Sequence, residues 1–176
     1  MNLLLLEDSD FTDPQHVRLT GRRLAHMQDI QQVSAGDTLR VGRINGLMGS
    51  GSVLELDSRS ALLRIELSEA PPAKLPLTLL LAMPRPKMFR RILQHCATLG
   101  VPEIILLNSV RVEKSFWQTP LLTANKVEEA LMAGMERARD TVAPVVHQHR
   151  LFRPFVEDQL STICAGRPCW LAEMGS

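Results

Sequence analysis

"LLLAMPRPKMFRRILQHCATLGVPEIILLNSVRVEKS", residues 79–115, decides how this 176-residue chain is built. Its opening belongs to "LTLLLAM" (77–83), a near-continuous apolar run without polar alternation, as expected of a parallel strand covered on both faces. "PKMFRRILQHCATLG" then takes up a helical period. Met88, Phe89, Ile92, Leu93, Cys96, Ala97 and Leu99 form the side to be buried, and Arg90, Arg91, Gln94, His95 and Thr98 the outer side; Gly100 is the stop. "EIILLN" is the next strand. Downstream, a helix over roughly 123–140 carries Val127, Leu131, Met135 and Ala138 as its stripe, "APVVHQH" is a third strand, "FRPFVEDQLSTIC" a short helix, and "PCWLA" starts a fourth strand. Strands alternating with helices predict an α/β domain with a mainly parallel sheet.

Upstream the pattern differs. "TLRVGRI", "GSVLELD" and "ALLRIEL" are short strands separated by "NGLMGSG" and "SRS", and Asn45-Gly46 is a hairpin turn signal. With "NLLLL" at the start they predict a small antiparallel barrel. "TGRRLAHMQDIQQV" places Leu24, Met27, Ile30 and Val33 near helical spacing, a helix capping that barrel. "SEAPPAKLP" ends the pattern with three prolines and reads as a linker. The expected organisation is a barrel over 1–70, a linker over 71–76 and an α/β domain over 77–176.

Charge is divided the same way. Residues 1–70 hold 7 Lys/Arg against 10 Asp/Glu, net −3, and residues 71–176 hold 13 against 9, net +4; within 85–114 the count is 6 to 2. Positive charge focused on the quoted stretch suits a polyanionic partner, although the chain is far from a strongly basic nucleic-acid domain. "NLLLL" followed by "EDSD" is neither a signal peptide nor a bilayer span, so a cytoplasmic protein is expected. The three cysteines fit no zinc framework and are read as reduced thiols.

In open α/β sheets the ligand crevice lies beyond the carboxyl ends of the strands. Here those positions are "PRPK", "SVRVEKS" and "EMGS". Arg85, Lys87, Arg111 and Lys114 line one edge as candidate phosphate contacts, with solvated loop charge as the plain alternative for any one of them. His147 and His149 share a side of their strand, but no third metal ligand has a fitting spacing. Glu136, Arg139 and Asp140 have the spacing of a helix-surface salt bridge rather than a buried cluster. No GxGxxG, GxxxxGK[ST] or GxSxG occurs, which counts against dinucleotide enzymes, P-loop NTPases and α/β-hydrolases.

The order of parts, together with "ATLGVPEIILLNS", "RVEKSFWQ" and "ERARDTVAP", resembles the ribosomal RNA small subunit methyltransferase E family, the uridine N3-methyltransferases of bacterial 16S rRNA. The resemblance runs over nearly the whole chain. It implies a PUA-like RNA-binding barrel followed by a SPOUT-type α/β domain, a homodimer, S-adenosylmethionine bound in a trefoil-knotted C-terminal region, no metal, and the 30S subunit as partner. "LAEMGS" corresponds to the first cofactor loop, so Leu171, Ala172, Glu173 and Gly175 are the implied cofactor residues, and the basic loops face RNA. Members continue through "GPEGG" and "LGxRILRxETA" segments that this sequence lacks. The expectation is therefore a domain ending before the knot, with no complete catalytic set and no S-adenosylmethionine binding by this chain alone. A noncatalytic RNA-binding or ribosome-assembly protein is the alternative.

Overall fold

The computed structural model describes residues 2–29 and 33–172. Nine strands form two sheets among these residues. β1 (Leu4–Leu6), β2 (Phe11–Asp13), β3 (His16–Leu19), β4 (Thr38–Arg43), β5 (Met48–Leu56) and β6 (Ala61–Glu69) make a six-stranded sheet in the order β1-β4-β5-β6-β3-β2, with α1 (Gly21–Asp29) between β3 and β4. Every pairing is antiparallel except β1 with β4, which run parallel because the chain crosses over between them. Leu4 and Leu6 at one end of the sheet share a core with Val17, Leu19, Val53, Leu63 and the α1 residues Leu24 and Met27, so the sheet curls round its apolar face and α1 closes it. Val33 joins this core as expected, whereas Ile30 lies outside the described residues.

Asn45 takes the left-handed conformation at φ 58°, as an Asn-Gly turn requires. β5 nevertheless starts three residues earlier than "GSVLELD". Gly49 is a strand residue because the backbones approach closely there: a Cβ would overlap the Glu66 carbonyl oxygen.

In the second sheet β7 (Thr78–Ala82), β8 (Glu103–Leu107) and β9 (Val145–His149) are parallel, in sequence order, with β8 in the middle. α2 (Pro86–Thr98) and α3 (Ala124–Ala138) pack together on one face, where Phe89, Leu93, Cys96, Ala97, Ala130, Leu131 and Met135 meet Ile104 and Leu106. The other face of β8, Ile105 and Leu107, is covered by Phe155 of α4 (152–164), a helical segment of Phe152–Phe155, a π turn Val156–Leu160 and Ser161–Cys164. β7 differs from expectation. It is an edge strand with Leu80 and Ala82 exposed, because only β8 flanks it. The buried stripe of α2 is narrower too: Met88 and Leu99 stand 45% and 67% exposed.

The expected fourth strand is not formed among the described residues. Residues 168–172 make no ladder, and Trp170 and Leu171 are 89% and 88% exposed. Among the described residues no layer covers this apolar pair and no strand edge binds its backbone. Just before it, Arg167 Nη1 donates to Thr78 Oγ1 at 3.3 Å and ties the segment to β7.

The two sheets are joined firmly despite the proline-rich connection. Leu4 and Leu6 point into the curled sheet, while Leu3 and Leu5 pack with Met83, Phe89 and the rest of the helical core. Leu3 N–H donates to the Glu136 carbonyl at 2.9 Å, Asn45 N–H to Thr141 O at 2.8 Å, and Thr141 Oγ1 to Gly46 O at 2.6 Å. Lys74, within "APPAKLP", donates to both the Asp140 carboxylate and the Val142 carbonyl. Asp140 is thus buried, with 1% exposure, and not part of a helix-surface salt bridge. The reason is local. Arg139 adopts the left-handed conformation that ends α3, so the next side chain turns inward.

All three cysteines are free. Burial pushes the Cys96 thiol above its ordinary value, and a hydrogen bond with Cys169 does the same for Cys164. At neutral pH a thiol reagent is expected to modify exposed Cys169 first and Cys96 only on unfolding. Peptide mass spectrometry over a labelling time course checks this; equal labelling of the two in the folded protein would contradict it.

Candidate functional site

Parallel strands deliver their carboxyl ends to one side, and the segments that carry Arg85, Lys87, Arg111 and Lys114 follow β7 and β8 there. Arg85 is the N-cap of α2, three residues past β7, and Lys87 lies in the first turn of that helix. Arg111 sits in the loop after β8 and Lys114 opens the 3-10 turn Lys114–Gln118. All four are exposed, and none has an ion-pair partner among the described residues. α2 has no acidic residue in its first turn, so its N-terminal N–H groups add to the positive field.

Residue-by-residue reading missed what holds these loops. Trp117 in "SFWQ" is buried, and its Nε1–H donates to Asn108 Oδ1 at 3.2 Å immediately beyond β8. The Arg150 guanidinium, one residue past β9, lies 5.7 Å from the Trp117 ring centroid. Asn108 N–H in turn reaches the His149 carbonyl at 3.3 Å. The available signal was a large aromatic side chain, Trp117, closing a loop that begins with the charged Arg111-Val112-Glu113-Lys114 run. "RVEKSFWQ" carried weight only as a family motif.

His147 and His149 each have a neighbour of their own. His147 Nε2 lies 3.3 Å from Glu103 Oε1, His149 packs on Phe155 at 4.9 Å between ring centroids, and among the described residues no group of three or more His, Cys, Asp or Glu is gathered. Leu171 and Ala172 are exposed in the irregular segment after α4, while Glu173 and Gly175 lie outside the described residues. No helix among the described residues is long and apolar enough to cross a membrane.

Three arginines of the curled sheet are held differently from the cations at the strand ends. Arg23 is bidentate to buried Asp10 at 2.6 and 2.7 Å, Arg40 is bidentate to Glu69 at 2.6 and 2.7 Å, and Arg43 meets Asp8 at 2.9 Å. Burial pushes the Asp10 carboxyl above its ordinary range, against the opposing pull of the Glu7 N–H and of Arg23. These cations are committed internally, and those at the strand ends of the α/β part are not.

An RNA methyltransferase domain matches residues 71–165, more than half of the chain and the whole of the parallel-sheet region. The chain belongs to the RNA methyltransferase domain family. Its curated relatives include the ribosomal RNA small subunit methyltransferase E of Treponema pallidum, 29% identical over 158 residues covering 88% of this chain and 59% of that protein. The ribosomal RNA small subunit methyltransferase E 1 of Borreliella burgdorferi is 25% identical, covering 83% of this chain and 60% of its own length. The chain therefore spans about three fifths of these relatives. In fold it is similar to the ribosomal RNA small subunit methyltransferase E of Neisseria gonorrhoeae, solved bound to S-adenosyl methionine, with a TM-score of 0.68 at 16% identity, over 91% of this chain and 65% of that one.

Proposed function

We propose that this chain serves S-adenosylmethionine-dependent methylation of N3 of a uridine in 16S rRNA of the 30S subunit, as part of a ribosomal RNA small subunit methyltransferase E. The observation that carries the reading is the set of cations Arg85, Lys87, Arg111 and Lys114, without an ion-pair partner among the described residues, on the segments after β7 and β8 in a chain of the RNA methyltransferase domain family. In this reading those cations hold the RNA backbone by charge-assisted hydrogen bonds. Trp117, clamped between Asn108 and Arg150, keeps the Arg111–Lys114 loop in place. The curled sheet acts as the PUA-like unit, with three of its arginines, Arg23, Arg40 and Arg43, paired internally.

Leu171 and Ala172, with Glu173 and Gly175, are the part of the chain we assign to the cofactor. When bound, S-adenosylmethionine supplies the methyl group. The exposed Leu171 and Ala172 provide no enclosure for an adenosine, so no step of methyl transfer is assigned to the described residues. Homodimer formation and a cytoplasmic setting belong to the same reading.

Nucleoside mass spectrometry of 16S rRNA tests it. Disrupting the gene that encodes this chain is expected to remove 3-methyluridine from 16S rRNA, and re-expression to restore it. Unchanged 3-methyluridine in the disrupted strain would overturn the proposal.

A further inference from the structure

A second concentration of positive charge lies off the strand ends. Lys87, Arg90, Arg91, Gln94, His95 and Arg137 line a shallow open groove between the outer side of α2 and the C-terminal end of α3. No acidic side chain lines it, and α2 contains none along its length. Lys87, Arg90, Arg91 and Arg137 have no ion pair or side-chain hydrogen bond among the described residues. Six other cations, Arg23, Arg40, Arg43, Lys74, Lys126 and Arg153, each meet a carboxylate. Four like charges facing one groove repel one another, and an anion would relieve that repulsion.

The spacing says what shape of anion fits. Residues 87, 90, 91, 94 and 95 fall at helical i, i+3, i+4, i+7 and i+8 positions and make one stripe, about 12 Å long at 1.5 Å per residue. A groove open along its side with charge spread down its length suits an extended polyanion better than a small enclosed ligand. Lys87 also belongs to the strand-end set, so the stripe continues from that site without a break.

We propose that the α2–α3 groove is a second track for the RNA phosphate backbone, leading away from the strand ends; this rests on the RNA-directed reading above. Arg90 and Arg91 are its central contacts, with Arg137 on the opposite wall and Gln94 as a neutral donor. The contacts are to phosphate and carry no base specificity, so the track adds affinity and orientation for any RNA segment that leaves the strand-end site in this direction.

The test is binding of a small-subunit rRNA fragment by the full chain and by Arg90→Glu/Arg91→Glu, measured over a series of salt concentrations, with Arg111→Ala/Lys114→Ala as the strand-end comparison. The reversed pair is expected to weaken binding by roughly tenfold or more, and to reduce the slope of log affinity against log salt by about 2, close to one for each phosphate no longer neutralised. Arg90→Lys/Arg91→Lys, which keeps the charge, should retain the parental slope. Unchanged thermal unfolding of the reversed pair shows that the groove, not the fold, has been altered; a large drop in melting temperature transfers the decision to Arg137→Glu, for which weaker binding is again expected. Parental affinity and slope in the correctly folded reversed variant, with the strand-end variant weakened, would overturn the track and leave the functional reading intact. If the parent itself shows no salt-dependent binding, the functional reading fails and the track with it. Should the reversed pair stop binding an acidic peptide while keeping its hold on RNA, the inference gives way to a protein partner.

Discussion

Asp140→Ala is expected to destabilise the protein by about 3–5 kcal/mol, the range for removing one partner of a buried ion pair. The carboxylate accepts from Lys74 Nζ through one oxygen and from Val142 N–H, at 2.9 Å, through the other. Alanine leaves a largely buried ammonium and a backbone donor without their anion. Because this pair ties the proline-rich connection to the end of α3, the loss should appear as earlier unfolding of the whole chain rather than fraying at one end. Denaturant unfolding followed by tryptophan fluorescence measures it through Trp117. The paired replacement Lys74→Met/Asp140→Leu should recover part of the loss, since no charge then stays buried, though Val142 N–H remains unpartnered. A loss below about 1 kcal/mol for Asp140→Ala would place the pair in the class of solvated surface bridges and refute its role.

Gly134→Ala is expected to act against the usual rule for helices. At an ordinary interior position alanine gains about 1 kcal/mol over glycine. Here a Cβ would overlap the Gln94 carbonyl oxygen and lie 2.7 Å from Ala97 Cβ, because α2 and α3 touch at this glycine. Pushing the helices apart costs about 1–3 kcal/mol or more and exceeds the gain. Thr98 Oγ1, 3.3 Å from the Gly134 carbonyl, would be displaced as well. Net destabilisation of up to about 2 kcal/mol follows, the upper end of the overpacking cost less the helix gain. A thermal melt of the variant against the parent decides it, and a rise in melting temperature would show that the helices have room to separate.

The parallel-sheet half was legible because its periods are long and clean. α2, β8 and β9 lie where "PKMFRRILQHCATLG", "EIILLN" and "APVVHQH" put them, since each carries its own apolar pattern and boundary residues. β2 and β3 were missed. They are three and four residues long, and "FTDPQHVRL" ends β2 with Asp13 and follows it with Pro14 and Gln15, so their strand state comes from pairing with β6 and with each other rather than from local preference. "MGSG" was read as turn because glycine and serine are turn residues; the close backbone at Gly49, a tertiary fact, makes it strand. The same limit hid Asp140. A lysine 66 residues away in sequence takes its charge, and no helical spacing reveals such a partner. In the candidate site Arg85, Lys87, Arg111 and Lys114 followed from the rule about strand ends. Asn108 and Arg150 did not, because their importance lies in meeting Trp117 where the β8–α3 connection and the loop after β9 come together.

β1 has consequences for the order in which the chain can be completed during synthesis. Its even residues, Leu4 and Leu6, find their core as soon as β4 through β6 exist, but Leu5 and the preceding Leu3 wait for helices encoded far downstream, and Leu3 N–H waits for Glu136. A nascent chain that has delivered only the first sheet therefore carries an apolar stripe that lacks most of its cover, the α2 and α3 side. β1 leaves the ribosome well before α3 yet is completed only with it, and until α3 emerges its outward side is a surface that a chaperone, or another nascent chain, can reach.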